Sequence, residues 1–124
     1  MLVRLLVNDD RLQATRAREL IEDSARRDEP VFVSLLVLLE TEWALRNRYG
    51  LEPDAIRGAF GALLETRELL VEDASVVEIA LSSWEQPGTG FADCLIAACH
   101  RARGCRTTLS FDARARRISG FTRA

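Results

Sequence analysis

Apolar and polar residues run along this chain in alternating blocks, the longer ones with helical spacing and the shorter ones as uninterrupted apolar runs. Over residues 11–27, Leu12, Ala17, Leu20, Ile21 and Ala25 fall on one predicted helical stripe, with arginines and acids elsewhere. Asn8, Asp9 and Asp10 precede that block and supply turn and N-cap chemistry for it. Pro30 closes the polar stretch, and Val31-Phe32-Val33 reads as a short buried strand. Ser34 is placed to cap a second helix reaching about Arg48, with Gly50 as its stop. Pro53 opens a third helix that ends near Thr66, and Leu69-Leu70-Val71 is a second short strand. Asp73 is placed to cap a fourth helix running to Trp84. Gln86 to Gly90 form a loop, and a fifth helix spans about Phe91 to Arg103, stopped by Gly104. Thr107 to Phe111 is β-branched and aromatic, hence a strand. Asp112 then opens a helical turn and a tail. Met1 to Val7 is too short for periodicity to decide between strand and helical turn.

Short strands separated by helices predict an α/β sandwich with a mainly parallel sheet. The 124 residues suit a single domain, 1–124, with one core. No internal repeat or low-complexity segment is visible. Hydrophobic residues make up 48% and charged residues 29% of the chain, a globular rather than disordered balance. No apolar run reaches the ~18 residues a membrane helix needs. A basic start followed by a small-residue cleavage site is also missing, so a cytoplasmic protein is expected. Cys94, Cys99 and Cys105 are odd in number and form no C-x-x-C pair. They therefore argue against both a disulfide scaffold and a zinc site.

Charge changes the picture through its distribution. The net value is only −2, yet residues 101–124 hold seven arginines against the single acid Asp112. An acidic body with a basic edge can track phosphates, and Arg114, Arg116 and Arg117 are the candidate contacts to a nucleic-acid backbone. All 17 basic residues are arginine. Codon bias explains that preference; the clustering carries the functional weight.

Three acids stand at element ends or on an expected inward face: Glu40, Asp93 and Asp112. Asp112 directly follows a strand, where α/β folds gather ligands. Asp93 lies in the first turn of a helix. Glu40 is read onto the apolar side of its helix with Leu36, Val37, Trp43 and Ala44, where a carboxylate is costly unless paired or metal-bound. Each also has a plain structural reading: helix-dipole acid for Asp93, cap for Asp112, partner of Arg46 or Arg48 for Glu40. The only histidine, His100, has no Ser or Cys relay and reads as a solvent-facing or capping residue. Trp43 and Trp84 read as core or interface. Carboxylates without a His, Cys or Ser partner point to hard-cation chemistry, with Mg²⁺ or Mn²⁺ as the cofactor.

Four segments, in order and with compatible spacing, resemble the PIN-domain ribonucleases, and most closely the VapC-type toxins of bacterial toxin–antitoxin pairs. They are LVRLLVNDD, PVFVSLLVLLETEWALRNRYGL, GFADCLIAACHRARGC and TTLSFDARARRISGF. The resemblance implies a PIN-like three-layer α/β/α sandwich with a short, mainly parallel sheet. It also implies metal ligands at Glu40, Asp93 and Asp112, with Ser110 as the small polar residue beside the last. It implies a metal-dependent endoribonuclease, a VapB-like antitoxin as partner, and a homodimer. The family usually opens with a strand ending in D-T-N or D-T-S, and the present chain begins at the residue after that motif. On this alignment Met1 to Val7 is the first helix. Asp9 and Asp10 lie past it, roughly 12 Å from the missing acid at 1.5 Å per residue, and are read as caps. Two expectations follow, an upstream start that restores the strand, or a catalytically impaired remnant that binds only antitoxin or RNA.

Overall fold

A computed structural model describes residues 2–7, 11–105, 107–110, 118 and 121–123. The chain divides into two compact units, Met1–Glu72 and Asp73–Ala124. The first holds α1 (Leu2–Val7), α2 (Arg11–Arg26), β1 (Val31–Val33), α3 (Leu35–Asn47), α4 (Pro53–Glu65) and β2 (Leu69–Val71). The second holds α5 (Ala74–Ser83), α6 (Phe91–Ala102), β3 (Thr108–Ser110) and β4 (Phe121–Arg123). The class is the expected one, α/β with short parallel pairing. Among the described residues the strands form two parallel pairs, β1 with β2 and β3 with β4. β4 lies where the sequence suggested only a tail. Asp9, Asp10 and Asp112, each expected to cap a helix, lie outside the described residues.

In the first unit, α1 packs on α2 and α3, α3 packs on α4, and α4 packs on β2. The buried stripe of α2 differs from the expected one. Ala14, Ala17 and Ile21 are buried, whereas Leu12, Leu20 and Ala25 are exposed. The observed positions keep the i, i+3, i+7 spacing of a single helical face, which Leu12 cannot share. α2 ends where Asp28 takes a left-handed backbone (φ 59°). There the Glu29 and Asp28 N–H groups return to the Ser24 and Ala25 carbonyls at 2.8 and 3.1 Å, the paired bonds that close a helix C-terminus.

β1 is not buried throughout, contrary to the sequence reading, and neither is β2. Their register pairs Phe32 with Leu70, and these two side chains are 58% and 54% exposed, while Val33, Leu69 and Val71 are buried. The alternation is that of a strand pair covered on one face.

In the second unit α5 and α6 pack closely on each other. Val76, Val77, Ala80 and Trp84 are buried on one side, and Phe91, Cys94, Leu95, Ala97 and Ala98 on the other. Asp73 does occupy the N-cap position of α5. It does so with a left-handed backbone (φ 47°) and no side-chain hydrogen bond to the helix, so the expected carboxylate cap is not made. Gly104 ends α6 as expected, at φ 85°. The Cys105 N–H bonds the His100 carbonyl at 2.9 Å and the Gly104 N–H bonds the Arg101 carbonyl at 3.0 Å, a reversal that a residue without Cβ makes at little cost.

Candidate functional site

Glu40 sits on α3, and the start of that helix is tied down at three points. The Ser34 hydroxyl accepts from the Val37 N–H at 3.1 Å, confirming the predicted cap. The Glu72 carboxylate, one residue past β2, accepts from the Leu35 N–H at 2.9 Å. The Glu72 N–H in turn donates to the Val33 carbonyl at 2.9 Å. Two of the four donors that a helix start leaves without intrahelical partners are thereby satisfied by side chains. The acid is carried on a helix whose entry from the strand pair is fixed.

The face on which Glu40 lies is not the inward one. Leu38, Thr41, Glu42 and Leu45 form the main buried stripe, centred away from Glu40, while Ala44, four residues on from Glu40, is buried as well. Glu40 itself is exposed, in line with Leu36, Trp43 and Asn47, which are exposed as well. The inward carboxylate of α3 is therefore Glu42, only 4% exposed. It accepts from Arg46 Nε at 2.7 Å and from Nη2 at 3.4 Å, and its carboxylate holds the Arg46 guanidinium above its ordinary pKa. Arg46, offered by the sequence as a partner for Glu40, thus serves Glu42. Arg48, the other offered partner, lies over the Trp43 ring with its guanidinium carbon 5.7 Å from the centroid.

Asp93 occupies the third position of α6, behind the N-cap Gly90. It is half-buried. A carboxylate in a helix's first turn is favoured by the N–H groups and dipole there. The loop that delivers it is shaped by Thr89, whose hydroxyl donates to the Gln86 carbonyl at 2.7 Å with the Trp84 carbonyl 3.3 Å away. The rings of Trp84 and Phe91 pack at 5.3 Å between centroids and 47° between planes, joining the end of α5 to the first residue of α6. The neighbouring Cys94 thiol is pushed up in pKa by burial first and then by the Asp93 charge, with an opposing hydrogen bond to Thr89. It is a protonated core group rather than a competing soft ligand.

Ser110 is the last residue of β3. Asp112, Arg114, Arg116 and Arg117 lie outside the described residues. Among the described residues no three His, Cys, Asp or Glu side chains form a group that could hold a metal ion. The two described candidate acids sit in different units. Both offer carboxylate oxygens, the donor type that Mg²⁺ and Mn²⁺ take, so the donor chemistry fits a hard divalent cation. An open recess of about 400 Å³ lies in the first unit, lined by Ala25, Asp28, Glu29, Pro30, Arg67 and Glu68. Of the candidate site residues that are described, Glu40, Asp93 and Ser110, none lines it. No helix among the described residues is long and apolar enough to cross a membrane.

Comparison with known proteins places these features in a family. The PIN domain family matches residues 1–120 of the chain. No curated protein matches it, and no solved structure does so either. The PIN domain is generally a nuclease fold, and its nucleases typically act on nucleic acids with divalent metal ions.

Proposed function

Because the chain belongs to the PIN domain family, we propose that it is a metal-dependent endoribonuclease, the toxin of a VapBC-type pair. The observation that carries this reading is the extent of the family match, residues 1–120. In this reading residues 1–124 act as one PIN-like domain, and Glu40, Asp93 and Asp112 hold Mg²⁺ or Mn²⁺. Bound there, such an ion supplies an activated water and a counter-charge for the phosphate.

The chain's own residues do the rest. Ser34 and Glu72 hold the start of α3, and so the direction in which Glu40 is presented. The Trp84–Phe91 pair and Thr89 hold the start of α6, and so Asp93. Ser110, the last residue of β3, is assigned the supporting role toward a carboxylate or a metal-bound water. Arg114, Arg116 and Arg117 contact the RNA backbone, where each neutralised phosphate makes binding weaker at high salt. A VapB-like antitoxin covers the site in the resting state, and the toxin is a homodimer.

The test is cleavage of a labelled RNA pool by the purified chain. Products that appear with Mg²⁺ or Mn²⁺, disappear with a chelator, and are absent from DNA of the same sequence are expected. Cleavage indifferent to chelation would overturn the metal assignment. Co-purification of the native protein with a small DNA-binding partner, and a dimer mass by light scattering, test the remaining parts.

A further inference from the structure

The two tryptophans of the chain have different surroundings. Trp84 is 4% exposed, whereas Trp43, midway along α3, is 49% exposed. A large indole left half in water on a helix whose opposite face is buried invites a ligand. Two details narrow which one. Arg48 lies over the ring, so the aromatic surface comes with a cation. Glu40 precedes Trp43 by three residues on the same exposed stripe, a spacing that brings side chains to neighbouring positions roughly 5–6 Å apart at Cβ.

A half-exposed indole with a guanidinium over its ring supplies the two parts that single-stranded nucleic acids use, an aromatic surface for a base and a cation for the adjoining phosphate, the base taking the place of Arg48 on the ring as Arg48 moves to the phosphate. We propose that Trp43 and Arg48 form a stacking platform for one nucleobase of single-stranded RNA, adjacent to the phosphate handled at Glu40. The inference rests on the ribonuclease reading above and adds a substrate-binding residue to it. The competing occupant of the stripe is a second copy of the chain, since Leu36 is 76% exposed. Such an interface would enclose the Glu40 carboxylate in a dry apolar contact without a partner, which is costly. An RNA strand leaves Glu40 solvated or metal-bound.

Fluorescence separates these outcomes. In a chain carrying Trp84→Phe, Trp43 is the sole indole emitter; in the unmodified chain, acrylamide quenches the exposed indole selectively. An RNA octamer (oligo-U or oligo-A) is titrated in Mg²⁺ on an Asp93→Asn background, which the ribonuclease reading makes inert. The Trp43 emission should be quenched saturably. By anisotropy of labelled RNA, Trp43→Ala should bind roughly 5- to 150-fold more weakly, and Trp43→Phe should recover most of the loss. If the octamer binds while the emission is unmoved and Trp43→Ala binds equally well, the platform is wrong and the ribonuclease reading survives. If no RNA binds to any version and the unmodified chain cleaves none, the ribonuclease reading fails and takes the platform with it. If Trp43 is shielded from acrylamide before RNA is added, in a manner that disappears on dilution, a second copy covers the stripe and the proposal is overturned.

Discussion

Replacing Phe91 by leucine probes how the chain presents Asp93. Phe91 is 1% exposed, opens α6, and packs its ring on Trp84 at 5.3 Å. Leucine keeps an apolar side chain at the position but removes the ring and leaves a small void. The cost should be about 1–2 kcal/mol, well short of the 3–5 kcal/mol typical of truncating a buried aromatic to alanine. About 0.5–1.5 kcal/mol of it should come from the ring pair itself. Trp84→Leu should then lose part of the same energy, so the double variant should be less destabilised than the two single losses combined. Urea unfolding followed by circular dichroism measures this without relying on Trp84 as a probe. At an m-value near 2 kcal/mol/M, each single variant should lower the midpoint by roughly 0.5–1 M. A domain with a total stability of about 5–15 kcal/mol survives both changes. Single losses that add to within about 0.3 kcal/mol would refute a direct ring–ring contribution. An unmoved midpoint in Phe91→Leu would refute the packing itself.

Ser34→Ala should cost about 1 kcal/mol by removing the acceptor for the Val37 N–H, and Ser34→Asp should restore it, both read as urea midpoints. Arg46→Ala should destabilise by about 1–3 kcal/mol at neutral pH. That is less than for a fully enclosed pair, because Arg46 is half exposed, but it leaves the buried Glu42 carboxylate without its bonds; Arg46→Lys should recover part of the loss. The buried Cys94 thiol, whose folded pKa lies above its unfolded one, contributes stability that is complete below the unfolded thiol pKa. That contribution is lost as pH rises through the folded value. Unfolding midpoints should therefore fall on the alkaline side, and Cys94→Ala should flatten that slope. In thiol titrations the exposed Cys105 should react quickly and Cys94 only on unfolding.

The elements that the sequence made legible carried their own punctuation. Pro53 at the start of α4, Ser34 before α3 and Gly104 after α6 each mark a boundary through a property of that residue, a missing donor, a capping oxygen or a permitted left-handed backbone. Where the punctuation was absent or ambiguous, the reading slipped. Asp28 ends α2 in a conformation usually given to glycine, and Asp73 stands at a cap without capping; neither is visible in residue type alone. β4 escapes the sequence because Phe121-Thr122-Arg123 holds a single apolar residue, whereas β1 and β2, no longer, are apolar throughout.

The orientation of α3 is the instructive case for the candidate site. Its opening, LLVLL, is apolar all the way round, so hydrophobic contrast cannot indicate which side turns inward. Glu40 and Glu42 differ only in which of the two faces they fall on. The spacing of Thr41 and Leu45 with Leu38, combined with an arginine four residues beyond Glu42, was the available signal that Glu42 is the buried acid. The motif nonetheless pointed to Glu40, and an exposed acid is accessible to a metal and to a phosphate in a way that the paired, buried one is not.

The central claim is metal-dependent hydrolysis carried by Glu40, Asp93 and Asp112, and its most direct test is RNA cleavage by Asp93→Asn and Glu40→Gln beside the unmodified chain, across a Mn²⁺ titration. Each variant should retain the unmodified circular dichroism spectrum and lose cleavage by at least about 100-fold at every Mn²⁺ concentration, as expected when a ligand of a catalytic metal is removed. Undiminished metal-dependent cleavage by Asp93→Asn would contradict the account.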